Sequence, residues 1–180
     1  MSLFSRQGSA LDYKSNAIRL AEQRVSQMTA DDVQDPIKVQ AVYHNIALEP
    51  VSYDFAVVEP KIHENGTVEL TIPFSGSPVL LEITPSRFST RVPNGEVKHN
   101  TIDPRRDVIL HGQPESNTAE AIRAWIADQK ALLIEWTESG NRDAETHNAD
   151  IRRVIDREVQ ARRAKLATVS SLKQELGRGI

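Results

Sequence analysis

From Glu115 to Leu176 the chain contains one glycine, Gly140, and no proline. A stretch so poor in breakers dictates long helix. Asn117 or Thr118 is placed to cap it, and Gly177 to end it. The apolar positions Ile122, Trp125, Ile126, Leu132, Leu133 and Trp136 repeat at helical spacing. After Gly140 the stripe resumes as Ile151, Ile155, Val159, Leu166, Val169, Leu172 and Leu176. At 100° per residue the later positions cover an arc of roughly 140°. Run as one rod from Thr118 to Leu176, the helix would measure about 89 Å. A compact chain of 180 residues has a radius of gyration of only about 16 Å. Either the chain folds back near Gly140 as a helical hairpin, or the distal half projects and buries its stripe on a partner. One glycine costs only about 1 kcal/mol inside a helix, so Gly140 does not force a break.

The remaining glycines and prolines concentrate between Pro36 and Pro114, which reads as turns joining strands. Glu64-Asn65-Gly66 closes a three-residue hairpin loop. Pairing His63 with Thr67 sets Ile62 opposite Val68, Pro60 opposite Leu70 and Val58 opposite Ile72. Glu59/Thr71 and Lys61/Glu69 then share the other face, the latter as an ion pair. A two-residue loop would mix the faces. Further strands are expected at Val79–Ile83, Phe88–Val92, Glu96–Thr101 and Asp107–His111. Asn94-Gly95 is read as the turn that sets Val92 against Val97.

Ahead of the sheet, Asp12–Met28 reads as an amphipathic helix and Ile37–Leu48 as a second, shorter one. The predicted organisation is therefore α+β: residues 1–50 an N-terminal helical segment, 51–114 an antiparallel β-meander covered by the N-terminal helix, and 115–177 the long C-terminal helical region.

Composition narrows the chemistry. The chain has no cysteine, which excludes disulfides, thiol catalysis and thiolate metal sites. No run approaches the ~20 apolar residues of a membrane span, and Met1–Arg6 lacks a secretory h-region, so a cytoplasmic protein is expected. Neither a P-loop nor a G-x-G-x-x-G fingerprint occurs. Phe74-Ser75-Gly76 lacks the first glycine of a nucleophile elbow. No catalytic residue, cofactor or metal site is assigned.

Two histidine settings bear on that conclusion. His147 stands among Asp143, Glu145 and Asp150, and Asp150 is its i,i+3 neighbour on a helix. His99 and His111 lie on neighbouring predicted strands near Asp103 and Asp107. Either could serve a metal-dependent hydrolase, but a third ligand is missing from the first and a fixed register from the second. A solvated helix face and ordinary strand histidines are the preferred readings. Trp125 and Trp136, eleven residues apart, fall on nearly one helix face and read as core.

Charge sorts along the chain. Although the net charge is −3, residues 150–178 carry eight basic and four acidic side chains. Arg152, Arg153, Arg157 and Arg163 form a basic face opposite the apolar stripe, where they could meet phosphates. Asp150–Arg153, Asp156–Arg152 and Glu158–Arg162 stand at ion-pair spacing and partly neutralise it.

Three short motifs in the centre, Pro73-Phe74-x-Gly76, Pro85-Ser86-x-Phe88 and Pro93-x-Gly95-x-Val97, are followed by Asn141, Asp143, Asn148, Arg162-Arg163-x-Lys165-Leu166 and Leu176-Gly177. This order resembles an uncharacterised family of bacterial proteins over residues 70–177. The resemblance implies a continuous C-terminal helix and supplies no catalytic motif. It links the chain loosely to mobile or defence-type gene neighbourhoods.

Together these readings predict a non-enzymatic interaction or assembly module of a bacterial cytosolic protein. It would form a homo-oligomer or dock to a protein through a seam of Ile151, Ile155, Val159, Leu166, Val169 and Leu172. Replacing Ile155 and Val159 with Asp is expected to abolish assembly. The alternative is a nucleic-acid-associated accessory factor using Arg152, Arg153, Arg157 and Arg163.

Overall fold

The computed structural model describes residues 3–4, 8–87, 90–99 and 106–177. The fold is α+β, with an N-terminal helix, an antiparallel sheet and a long C-terminal helix. The elements are α1 (Ala10–Gln27), α2 (Pro36–His44), β1 (Ser52–Tyr53), β2 (Glu59–Ile62), β3 (Val68–Ser75), β4 (Gly95–His99), β5 (Arg106–Gly112) and α3 (Ala119–Gly177). Two compact units draw on them. One takes residues Met1–Tyr13 and Leu48–Glu145, the other Lys14–Ala47 and Thr146–Ile180.

In the first unit the strands run in the order β1-β3-β5-β4, with β2 also on β3. Since β5 occupies one edge of β3, β1 and β2 share the other, pairing at Phe74–Ser75 and at Val68–Thr71. A 3-10 turn at Phe55–Val57 separates them, capped by Asp54, whose carboxylate accepts from the Ala56 N–H at 3.0 Å.

The hairpin register is the predicted one: Ile62 pairs with Val68, Pro60 with Leu70, and His63 N–H donates to Thr67 O at 2.9 Å. Gly66 closes the loop at φ +80°, a conformation that costs a residue without Cβ nothing. Val68, Leu70 and Ile72 are buried and alternate with half-buried Glu69, Thr71 and Pro73. Lys61 stands opposite Glu69, but that carboxylate has its ion-pair distances to His63 (3.6 Å) and His111 (4.0 Å).

Three expectations for the sheet are corrected. Val79–Ile83 is not a strand, because Pro78–Leu81 forms a 3-10 helix. Leu80, Leu81 and Ile83 are all buried there, whereas a strand with one solvated face would alternate. Asn94-Gly95 is not a hairpin turn either. Gly95 opens β4 and pairs with Leu110, and a Cβ on it would lie 2.3 Å from the Ile109 carbonyl oxygen. In the strand expected at Phe88–Val92, Phe88 and Ser89 lie outside the described residues and Thr90–Val92 are irregular. Asn100–Arg105, including Thr101 and Asp103, also lie outside them.

In the core of this unit the strand residues cluster with Leu132, Leu133, Trp136 and Ala144 of α3, with Leu48, Val51, Leu80, Leu81 and Ile83, and with Leu3 and Phe4. Only Ala10 and Tyr13 of α1 take part. Between Trp136 and Glu145 the helix turns polar for a reason. Thr137 Oγ1 lies 2.6 Å from Tyr53 Oη, and Ser139 Oγ donates to Arg87 O. Asp143 accepts from Ser86 N–H at 2.7 Å and from its hydroxyl at 2.5 Å. Ser139 and Asp143 thus pair with main-chain groups of Arg87 and Ser86, while Thr137 pairs with the Tyr53 hydroxyl.

In the second unit α1, α2 and the C-terminal part of α3 enclose a second core. Ala17, Ala21, Val25, Met28, Val33 and Ile46 surround Ile151, Ile155 and Val159. Asp35 caps α2, accepting from Ile37 N–H at 2.9 Å, with Pro36 at the first helical position, where its missing N–H costs nothing. α3 is continuous for 59 residues, so the helical hairpin at Gly140 does not form.

Candidate docking surface

The seam predicted along α3 divides in two. Ile151, Ile155 and Val159 are 0%, 2% and 4% exposed, and the chain's own α1 and α2 cover them. Burying each stabilises the unit by about 1.5–3 kcal/mol, so these three are core rather than an open face. Leu166 is half-buried at the edge of that core. Beyond it the cover ends. Val169 is 40% exposed, Leu172 51% and Leu176 71%, and every described residue from Ala167 to Gly177 is exposed.

The basic face is also turned to internal use. Arg152 stacks over the Tyr43 ring, 4.2 Å from its centroid. Arg153 pairs with Asp150 at 3.3 Å, and Arg157 with Glu22 at 3.2 Å and Glu158 at 2.8 Å. Arg163 Nε donates to Val33 O at 2.8 Å, and Arg162, through two nitrogens, donates to Met28 O at 3.1 and 3.0 Å. Those carbonyls lie in the α1–α2 connection, where intrahelical donors have run out. The ion-pair spacing read in the sequence therefore holds for Asp150–Arg153, while Arg162 is spent on backbone.

His147 is 3% exposed, which corrects the solvated helix face expected there. Its Nε2 lies 3.3 Å from Ile46 O. Burial holds its pKa below the ordinary histidine value, with nearby Lys14 acting the same way and the Ile46 carbonyl and Asp150 opposing. Asp150 itself is bound to Lys14, which pulls its carboxyl below the usual range. Of this group only His147 is buried; Lys14 and Asp150 are partly exposed.

The strand histidines do not approach one another through their register. His99 pairs with Arg106 at one end of the β4–β5 ladder, whereas His111 lies beyond Leu110 at the other. His111 instead pairs with Glu69 of the neighbouring strand β3, with His63 on the same carboxylate oxygen, a grouping that sequence spacing could not reveal without the three-strand register. Among the described residues no group of three or more His, Cys, Asp or Glu side chains is arranged to hold a metal ion.

A cleft of about 510 Å³ lies beside Trp125 in the first unit. Arg91 and Asp128 line it and are joined to each other by two hydrogen bonds, at 3.1 and 2.5 Å. Its lining holds no nucleophile beside a base. Among the described residues no helix is long and apolar enough to cross a membrane. Compared with protein-family models, curated proteins and solved structures, the chain matches none.

Proposed function

We propose that this chain is a non-enzymatic interaction module of a cytoplasmic bacterial protein, docking or assembling through the distal end of α3. One observation carries the reading: Val169, Leu172 and Leu176 lie exposed on one face of a helix whose preceding turns bury the same stripe against α1 and α2. Each large aliphatic side chain left in water forgoes about 1.5–3 kcal/mol. A contiguous apolar row rimmed by polar side chains is the character of a contact surface. The surface is shorter than the seam read from the sequence, and its centre lies at Val169–Leu176. The nucleic-acid reading is weakened because the arginines it needs already have intramolecular partners.

The test is a photo-cross-linking residue at Val169 in the full chain, activated in the producing cells. A defined protein adduct, lost when Leu172 and Leu176 become Asp, is the expected result. Absence of any protein adduct counts against the proposal.

A further inference from the structure

We infer that the occupant of the distal α3 face is an acidic amphipathic helix of another protein, not a second copy of this chain. The inference rests on the docking role proposed above and adds the chemistry of the partner. Counting from Val169 at 100° per residue, Leu172, Lys165 and Leu176 fall at about −60°, −40° and −20°. Lys173 and Leu166 fall at about +40° and +60°. Two ammonium groups therefore sit inside the apolar strip, one on each side of its centre. Both lysines are exposed, and among the described residues neither forms an ion pair. Glu175 lies about 60° beyond the strip's edge.

This charge pattern selects among occupants. Residues 164–177 contain two lysines and one glutamate. A pair of copies would bring four ammonium groups to the seam with two carboxylates, both off the contact strip. In a parallel pair each Lys165 meets its equivalent. Like charges placed so destabilise a helix pair, whereas carboxylates at those positions complement it. An anionic membrane fits less well. The segment has no aromatic residue, and its polar side presents Thr168, Ser170, Ser171 and Gln174 where a membrane-surface helix carries Lys and Arg. A partner helix with aliphatic residues opposite Val169, Leu172 and Leu176, and carboxylates opposite Lys165 and Lys173, satisfies every group on the strip.

The full-length chain is tested against a labelled synthetic helix with leucine seam positions flanked by glutamate. The same peptide with lysine flanks, vesicles containing phosphatidylserine, and sedimentation of the chain alone complete the comparison. The glutamate peptide is expected to bind at least tenfold more tightly than the lysine peptide. Lys165→Glu with Lys173→Glu should reverse that preference, and Leu172→Asp should remove binding of both. Equal binding of the two peptides, no binding of the glutamate peptide, or vesicle binding that Leu172→Asp removes overturns the inference. A dimer of the chain that Leu172→Asp dissolves also overturns it while leaving the docking role intact. If Leu172→Asp changes nothing in any measurement, the docking role fails with it.

Discussion

Asn141 grips Val51 by both main-chain groups: Oδ1 accepts from the Val51 N–H at 2.8 Å, and Nδ2 donates to the Val51 carbonyl at 2.9 Å. A primary amide matches an extended peptide unit in this way because it offers a donor and an acceptor side by side. Val51 is 4% exposed, so water cannot replace either bond.

Replacing Asn141 by Asp keeps the shape and removes the donor, turning a carboxylate oxygen toward the Val51 carbonyl. The expected loss is about 2–3 kcal/mol of stability, since a buried acceptor is left unpaired beside a charge. Urea denaturation at pH 7 measures it. A loss that disappears near pH 3, where Asp regains a proton to donate, would identify the donor as the cause.

Two glycines predict opposite outcomes on substitution. At Gly140 an added Cβ meets only the Leu80 carbonyl oxygen, at an ordinary 3.5 Å, so Gly140→Ala should stabilise the chain by about 0.5–1 kcal/mol. Gly76 has φ +99°, and a Cβ there would lie 2.2 Å from the Pro50 carbonyl oxygen. Gly76→Ala should destabilise by about 3 kcal/mol or more. Thermal unfolding of the two variants separates them in sign.

Leu172 and Ile155 occupy one helix but different environments. Leu172→Asp should change stability by no more than about 0.5 kcal/mol, because the side chain is exposed. Ile155→Asp places a charge in a packed core and should cost about 4 kcal/mol or more. Chemical denaturation followed by helix content reads both. The Ile155→Asp with Val159→Asp pair, expected from the sequence to abolish assembly, would instead unfold the second unit.

His147 makes stability depend on pH. Its folded pKa lies below the unfolded value of about 6.5, so protons bind the unfolded chain first as pH falls. Its contribution is complete above about pH 6.5 and is lost as pH drops through the folded pKa. The slope cannot exceed about 1.4 kcal/mol per pH unit for one proton. His147→Gln should flatten unfolding free energy between pH 7 and pH 5. An unchanged slope would assign the dependence to another group.

Much of the architecture was legible because it follows from spacing. The Gly66 hairpin register is forced by keeping Val68, Leu70 and Ile72 on one face, and the absence of breakers dictates helix over residues 115–177 without deciding between one rod and a hairpin at Gly140. Burial of Leu80, Leu81 and Ile83 together follows from tertiary demand, which no period reports. Gly95 sits in a strand because of a close approach to Ile109, a contact 14 residues away in sequence. The seam is apolar in sequence, yet periodicity does not say which element covers it. Ile151, Ile155 and Val159 are met by α1 and α2, and the small residues Ala17 and Ala21 of α1 are the signal in the sequence that a helix packs closely there. The polar run Thr137, Ser139, Asn141, Asp143 in mid-helix is the comparable signal for the bonds to Tyr53, Arg87, Val51 and Ser86.

The second core joins residues 14–47 to residues 146 onward, and this sets an order of events during synthesis. α1 and α2 leave the ribosome roughly a hundred residues before their partner turns of α3, a delay of about 5–20 s at ~5–20 residues per second. Throughout that interval Ala21, Val25, Val33 and Ile46 lack the surface that later buries them. Assembly of this core therefore waits for the turns of α3 that carry Ile151, Ile155 and Val159, and a synthesis pause before residue 150 would lengthen its exposure to chaperones and to aggregation.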